Sequence, residues 1–178
     1  MDAIRNQLAA DHHVLDDLFR SLLHDVQVLS HHDLQLVWCE LEHRLMSHMD
    51  VEEQLLFPLA DASHRGAVAR ARADHVRIRG LVCALGLAIE SGTASESAIR
   101  ELIGTLNAHA DREDRALYQF ACDRASVAAQ YRVAATLRTA ARSAHEAAVK
   151  TLANRSEAHA APSPASAEPA KLGLNVRA

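Results

Sequence analysis

Two stretches of this chain carry the same order of chemistry-bearing residues. His48-Met49-Asp50-Val51-Glu52-Glu53-Gln54-Leu55-Leu56-Phe57 reads against His109-Ala110-Asp111-Arg112-Glu113-Asp114-Arg115-Ala116-Leu117-Tyr118 as H-x-D-x-E-acid-x-x-L-aromatic. A shorter pair, Ala10-Asp11-His12-His13-Val14-Leu15 and Ala73-Asp74-His75-Val76-Arg77-Ile78, places one more histidine ahead of each. On a helix, residues four apart differ by about 40° around the axis and about 6 Å along it. His48 with Glu52, and His109 with Glu113, therefore share a face, and that face is apolar: Leu41, Leu45, Leu55, Leu56 and Leu59 flank the first pair, Leu102, Leu106, Leu117 and Phe120 the second. Imidazoles and carboxylates on an aliphatic face are costly to bury unless their charge is compensated. A metal centre compensates it, and nitrogen and oxygen donors without thiolate suit iron best, with manganese or zinc less so.

The elements that must position these residues are amphipathic helices. Ile4, Leu8, His12, Leu15, Phe19 and Leu22 lie on one stripe, and apolar residues at this spacing define a helix face. The pattern predicts helices from about Asp2 to Leu29, Asp33 to Ala62, Arg65 to Glu90 and Ser95 to Cys122, broken at SHHD (30–33), DASHRG (61–66) and SGTAS (91–95). Thr93 with Glu96 matches a capping box, and Pro58 should kink or end the second helix. Antiparallel neighbours are level when equally far from their turn. His12 with Asp50, at the centre of the first HxxxE, has its midpoint at 31; His75 with Asp111 has its midpoint at 93; Asp50 with His75 centres on the intervening break. All six residues belong in one layer of an up-down-up-down four-helix bundle. Four imidazole nitrogens and two bridging glutamates supply about four donors to each of two ions, leaving open positions for solvent or a small ligand.

Composition agrees with that architecture and narrows the function. Apolar residues are 49% of the 178 and aromatics 3%, with six Gly and four Pro, so the core is aliphatic and suits helices rather than sheets. Residues 1–123 hold 11 Lys/Arg against 20 Asp/Glu, net −9, which argues against a nucleic-acid role; residues 124–178 carry net +5. Cys39, Cys83 and Cys122 form neither a disulfide framework nor a CxxC motif and favour a reducing compartment. The start, MDAIRNQLAADHH, lacks a signal-peptide pattern and no run is long enough to span a membrane, so a cytoplasmic protein with no membrane association is expected. We divide the chain into the bundle at 1–122, an Ala-rich basic helix at 123–155, and a disordered tail at 156–178. The fifth helix packs on the bundle, pairs with another subunit in self-association, or projects.

The motifs DHHVL, HMDVEEQLLFP, DHVRI and HADREDRALY together resemble the hemerythrin-like HHE cation-binding domains over about residues 1–122. The resemblance implies a four-helix bundle holding a non-haem centre of two iron ions, with His12, His48, Glu52, His75, His109 and Glu113 as ligands. It implies binding of dioxygen or nitric oxide for sensing, storage or scavenging. Its alternatives are an oxidoreductase acting on peroxide or nitric oxide, and iron delivery or iron-centre repair; whether the protein is an enzyme stays open. Where the oxygen carriers resemble HxxxH on the third helix, this chain has Arg79 four residues after His75. Their HxxxxD pairing on the last helix would be met by His109 with Asp114, so Asp114 stands as the alternative to Glu113; the internal repeat favours Glu113, opposite Glu52.

Neighbouring residues read more plainly. His13 is rotated about 100° from the core stripe and faces solvent. His24, His31, His32, His43, His64, His145 and His159 fall on polar faces, turns or tail. Glu53 is solvated or stands behind a ligand, and Asp11 and Asp74 read as helix-surface acids rather than acceptors for ligand imidazoles. Arg79 turns outward or pairs with a carboxylate, the sharper alternative being donation to a bound peroxide or anion. The three cysteines read as small core residues, and Tyr118, matching Phe57 in the repeat, as packing.

Overall fold

A computed structural model describes residues 3–160, and the expected tail from 161 to 178 lies outside the described residues. The chain forms α1 (Ala3–Asp25), α2 (His31–Val51), α3 (Arg65–Glu90), α4 (Glu96–Glu113), α5 (Gln119–Arg124) and α6 (Val127–Ala160), with no strand among the described residues. The fold is all-α. Each of the first four helices packs on its two neighbours, α1 on α2 and α4, and α3 on α2 and α4, which is the four-helix bundle expected. The fifth helix expected from the sequence, α6, folds back along α2 and α1, and its Val133, Ala134 and Leu137 are buried there. It continues through Ala160, into the stretch expected to be tail.

The turns obey local chemistry. Ser30 caps α2 by accepting the amide of Asp33, and Ser95 caps α4 by accepting that of Ala98. Ser95, not Thr93, therefore starts α4; Thr93 instead turns its amide and hydroxyl to the carbonyl of Ala88 at the end of α3. Gly92 has φ +70°, the left-handed conformation that lets the chain leave α3. Both helices that carry an HxxxE depart from α geometry just past it. α2 passes into a π turn at Glu52–Leu56 and a 3-10 turn at Phe57–Leu59 that contains Pro58, while α4 passes through a π turn at Asp114–Tyr118 into α5. Such turns insert an extra residue into the helical ladder, and they collect at functional sites.

The buried side chains form two apolar blocks. One contains Leu15, Phe19, Leu22, Leu41, Leu45, Ile78, Leu85 and Leu102, towards the α1–α2 and α3–α4 turns. The other contains Leu8, Val51, Leu56, Phe57, Ala71, Leu117 and Leu137, towards the α2–α3 turn. Between them, in sequence along every helix of the bundle, lies a polar layer: His12, His48 with Glu52, His75, and His109 with Glu113. No described helix is long and apolar enough to cross a membrane.

Candidate metal centre

Each of the four bundle helices contributes to the layer because its apolar stripe is interrupted at the same height by an imidazole. His48, Glu52, His75, His109 and Glu113 are buried, and His12 is the most accessible, its side chain 16% exposed. The six residues named from the repeat converge into two groups, His12, His48, Glu52 and Glu113, and Glu52, His75, His109 and Glu113, in each of which the donor atoms lie within 4.8 Å of one another. Both glutamates belong to both groups. Asp114 does not join them: it turns outward to Arg5, whose Nε lies 3.0 Å from its Oδ1.

The separations are those of donors around a common ion. His48 Nε2 lies 2.9 Å from His12 Nε2 and 3.3 Å from Glu52 Oε1. His75 Nε2 lies 3.3 Å from Glu52 Oε2 and 3.7 Å from Glu113 Oε1, and His109 Nε2 lies 3.1 Å from Glu113 Oε2. Donors held about 2.1 Å from one ion stand roughly 3.0 Å apart at right angles. In the second group Glu52 Oε2, His75 Nε2, His109 Nε2 and Glu113 Oε1 are buried without a hydrogen-bond partner among the described residues. Four orphaned polar atoms pointing together in an apolar interior would be destabilising, and a cation satisfies all of them at once. The donor set fits a metal.

The electrostatics of the layer agree. Burial disfavours charge on His48, but Glu52 and the hydrogen bond to Asp11 outweigh it and raise its pKa well above the imidazole range. Burial likewise opposes ionisation of Glu52, which His48 reverses, so Glu52 is held well below the carboxylate range. Burial and the charge of Glu52 push Glu113 well above that range. Burial, reinforced by His48, depresses His12 to about 3, and burial, reinforced by His75 and His48, depresses His109 to about 4. Without a cation the cluster thus keeps a proton on His48 and one on Glu113, while His12 and His109 remain neutral bases.

Several residues around the cluster differ from the sequence expectation. Asp11 is not a surface acid but buried: it accepts from His48 Nδ1 at 2.8 Å and from Arg44 at 2.7 Å. Burial opposes its ionisation, yet these two bonds hold it below its ordinary pKa. Its counterpart Asp74 stays nearer the surface, 3.8 Å from His109 Nδ1 and paired with Arg112. Glu53 stands behind a candidate ligand, accepting from His75 Nδ1 at 2.7 Å and from Arg79 at 2.8 Å. Arg79 also reaches Asp50, so it pairs with carboxylates as expected and is turned away from the centre. His13 is exposed, as expected. Cys83 is exposed and Cys39 partly so, correcting their reading as core residues; the side chain of Cys122 is not among those described.

Tyr118, read from the sequence as packing, also reaches into the cluster. Its hydroxyl donates to Glu52 Oε1 at 2.5 Å and lies 3.0 Å from Glu113 Oε2 and 3.2 Å from His12 Nε2. In an α-helix Tyr118, five residues past Glu113, would sit about 140° away from it. The π turn brings the fifth residue under the first. The same device carries Phe57 under Glu52: the amide of Phe57 donates to the carbonyl of Glu52, and its ring stacks on His75 at 5.4 Å, as Tyr118 stacks on His12 at 5.7 Å. Phe57 and Tyr118 are thus equivalent in position, and only one carries a hydroxyl.

A search of curated proteins and of solved structures gives no significant match. The family model for the hemerythrin HHE cation-binding domain, in contrast, matches residues 3–121, which span the bundle and every member of the polar layer. By that match over two thirds of its length, and with a buried His/Glu layer suited to a cation, the chain belongs to the hemerythrin HHE cation-binding family.

Proposed function

We propose that the layer holds two iron ions and binds a small diatomic ligand, dioxygen or nitric oxide, for sensing, storage or scavenging. His12 and His48 would serve one ion, His75 and His109 the other, with Glu52 and Glu113 shared. The observation that carries this reading is the pair of donor groups that have both glutamates in common. Four protein donors per ion leave positions unfilled on ions that favour six, as imidazole and carboxylate donors do with iron. Such a pair, when bound, supplies redox-active Lewis acid sites for a small ligand. The chain's own part is to keep the ligand imidazoles oriented and to close the layer at its two ends: Asp11 fixes His48, Glu53 fixes His75, and the two apolar blocks pack on either side.

The second reading, an oxidoreductase consuming peroxide or nitric oxide, draws support from Tyr118. Its hydroxyl lies against both shared carboxylates and so positions a proton relay at the centre, which turnover needs and reversible binding does not, while burial and those two carboxylates keep its own pKa well above the phenol range. Anaerobic loading with ferrous iron, metal analysis, and spectra on adding nitric oxide, dioxygen or peroxide test both. Two irons per chain and a stable, reversible adduct support the first reading; catalytic loss of the added ligand supports the second. A chain that takes up no iron overturns both.

A further inference from the structure

Two cavities border the candidate ligands from outside, and they differ in size and charge. One, of about 400 Å³, lies in the seam between α1 and α4, against His12, His48 and His109. The other, of about 190 Å³, lies between α3 and α4 and meets the cluster at Glu113. Asp16 and Asp111 line the larger, and no Lys or Arg does so among the described residues. Arg70, Arg112 and Arg115 line the smaller, with Asp74, so its walls turn a cation away. Along the larger cavity the nitrogen and oxygen donors are graded from solvent to interior. The side chain of Asp111 is 70% exposed, that of Asp16 28%, that of His12 16% and that of His48 2%. At the inner end stands His109, 3% exposed, with neither ring nitrogen hydrogen-bonded among the described residues. A buried imidazole left without partners calls for a ligand.

We infer that the α1–α4 cavity is the route by which a hydrated divalent cation reaches the centre, Asp111 and Asp16 drawing it in and His12 meeting it first among the candidate ligands. This rests on the metal reading above and adds to it the side from which the layer is loaded. Size and charge both select that cargo. A water molecule claims about 30 Å³, so an ion with six waters needs roughly 200 Å³. That is half of the larger cavity and all of the smaller, where three guanidinium groups also stand. The inner walls of the larger cavity are apolar, Leu15, Phe19, Leu45, Ile103 and Leu106 among them. They offer nothing to coordinate, so the water shell is kept until the imidazoles replace it. Asp16 and Asp111 each pair with an arginine one turn further along the same helix, Arg20 at 2.7 Å and Arg115 at 3.2 Å. Exposed pairs of this kind are weak, and both arginines lie outside the cavity lining.

The test follows uptake of cobalt(II) by the metal-free full chain through its visible absorption in a stopped-flow instrument, with final stoichiometry and affinity measured separately. Asp111→Asn and Asp16→Asn should each slow uptake about threefold at low ionic strength and about tenfold together, a difference that disappears in about 0.5 M salt. Stoichiometry should be unchanged, and affinity should stay within about threefold, because neither acid is a candidate ligand. Glu90→Gln makes the same change of charge on the α2–α3 face and should leave the rate as in the wild type. Arg70→Glu reverses a charge at the smaller cavity and should also leave it so. Ala110→Phe narrows the larger cavity and should slow uptake at least as much as the double variant without lowering the final stoichiometry; Ile103→Phe repeats this from the adjacent wall should the first variant fold poorly. Uptake unaltered in the Asp16, Asp111 and Ala110 variants, slowed as much by Glu90→Gln, or quickened by Arg70→Glu overturns the inference, while full final occupancy leaves the metal reading standing. A wild-type chain that takes up neither cobalt(II) nor ferrous iron overturns the metal reading itself, so the two failures are told apart.

Discussion

The two flanks of the polar layer are built from matching residues and behave differently. On the α2–α3 flank each imidazole is held from behind by a carboxylate that is itself held by an arginine: Asp11 with Arg44 behind His48, and Glu53 with Arg79 behind His75. On the α1–α4 flank neither is. Asp74 stops 3.8 Å short of His109, drawn off by Arg112, and Asp114, the repeat's counterpart of Glu53, pairs with Arg5 instead of bracing His12. The cavity of about 400 Å³ between α1 and α4 borders His12 and His109 of this second flank and reaches His48. Duplication therefore supplied the donors twice, but the supports were not kept twice. On the metal reading each ion would thus have one braced imidazole, His48 or His75, and one unbraced imidazole, His12 or His109, and the unbraced pair borders the open space.

The sharpest way to break that comparison is to remove one imidazole from each flank. His48→Ala or His75→Ala should abolish loading of its own ion and weaken the other through the shared glutamates, leaving iron well below one per chain. His12→Ala or His109→Ala should leave about one iron per chain. Metal analysis of the four purified variants after identical loading reads this directly, and equal losses across all four would erase the distinction between flanks.

Protons give the next largest effect. His48 is held protonated by Glu52 and Asp11, and Glu113 is held protonated by burial beside Glu52, so both must lose a proton before they can ligate. His12 at about 3 and His109 at about 4 are already neutral at pH 7 and release nothing. The sign follows: acid competes with metal, and affinity rises with pH by up to about tenfold per released proton per pH unit. Calorimetric loading in buffers of different ionisation enthalpy should report about two protons released near neutral pH. Release near zero would mean that His48 and Glu113 are not the groups titrating.

Removing the braces without touching the ligands comes third. Asp11→Asn and Glu53→Gln should each weaken metal binding about 10- to 100-fold, the usual cost of losing a carboxylate behind a ligand imidazole. Asp74→Asn should change it by less than about threefold, because that contact is not made. Competition with a chelator measures all three. A loss for Asp74→Asn as large as for Asp11→Asn would show that the 3.8 Å gap closes when the site is filled.

How much of this was legible in the sequence depends on which regularity a residue obeys. The six converging residues obey the two that are strongest, an internal repeat and the α-helical period, and counting from the turns was enough to set them level because both hairpins are joined by short connections. α3 follows its expected bounds, Arg65 to Glu90, since Gly92 and Ser95 mark the following turn clearly. What escaped obeys neither. Tyr118 reaches the centre through a π turn, which no 3.6-residue pattern encodes. Asp11 braces His48 on another helix rather than its own neighbour His12, a pairing that depends on the rotation of α1 against α2. Cys83 has the spacing of a core residue, yet it faces outward at the α2–α3 surface beside Cys39 and Trp38.

The smallest expected effect asks what the one hydroxyl in an otherwise matched pair of aromatics does. Tyr118→Phe copies onto the first group the ring that Phe57 already presents to the second, so packing against His12 should be kept. What is lost is the donor to Glu52 and the contact to Glu113, both buried. Leaving a buried carboxylate without its donor costs about 1–3 kcal/mol, so the metal-free protein should unfold at lower denaturant by that amount. Once ions occupy the layer, the same oxygens are satisfied from the other side and the difference should shrink. Denaturant curves of wild type and variant, with and without metal, therefore separate two roles for the hydroxyl. A cost that vanishes on loading means that Tyr118 stands in for the cation when the layer is empty; a cost that is the same in both states means that it supports the carboxylates whatever they hold, and that the asymmetry between Phe57 and Tyr118 belongs to the fold and not to metal binding.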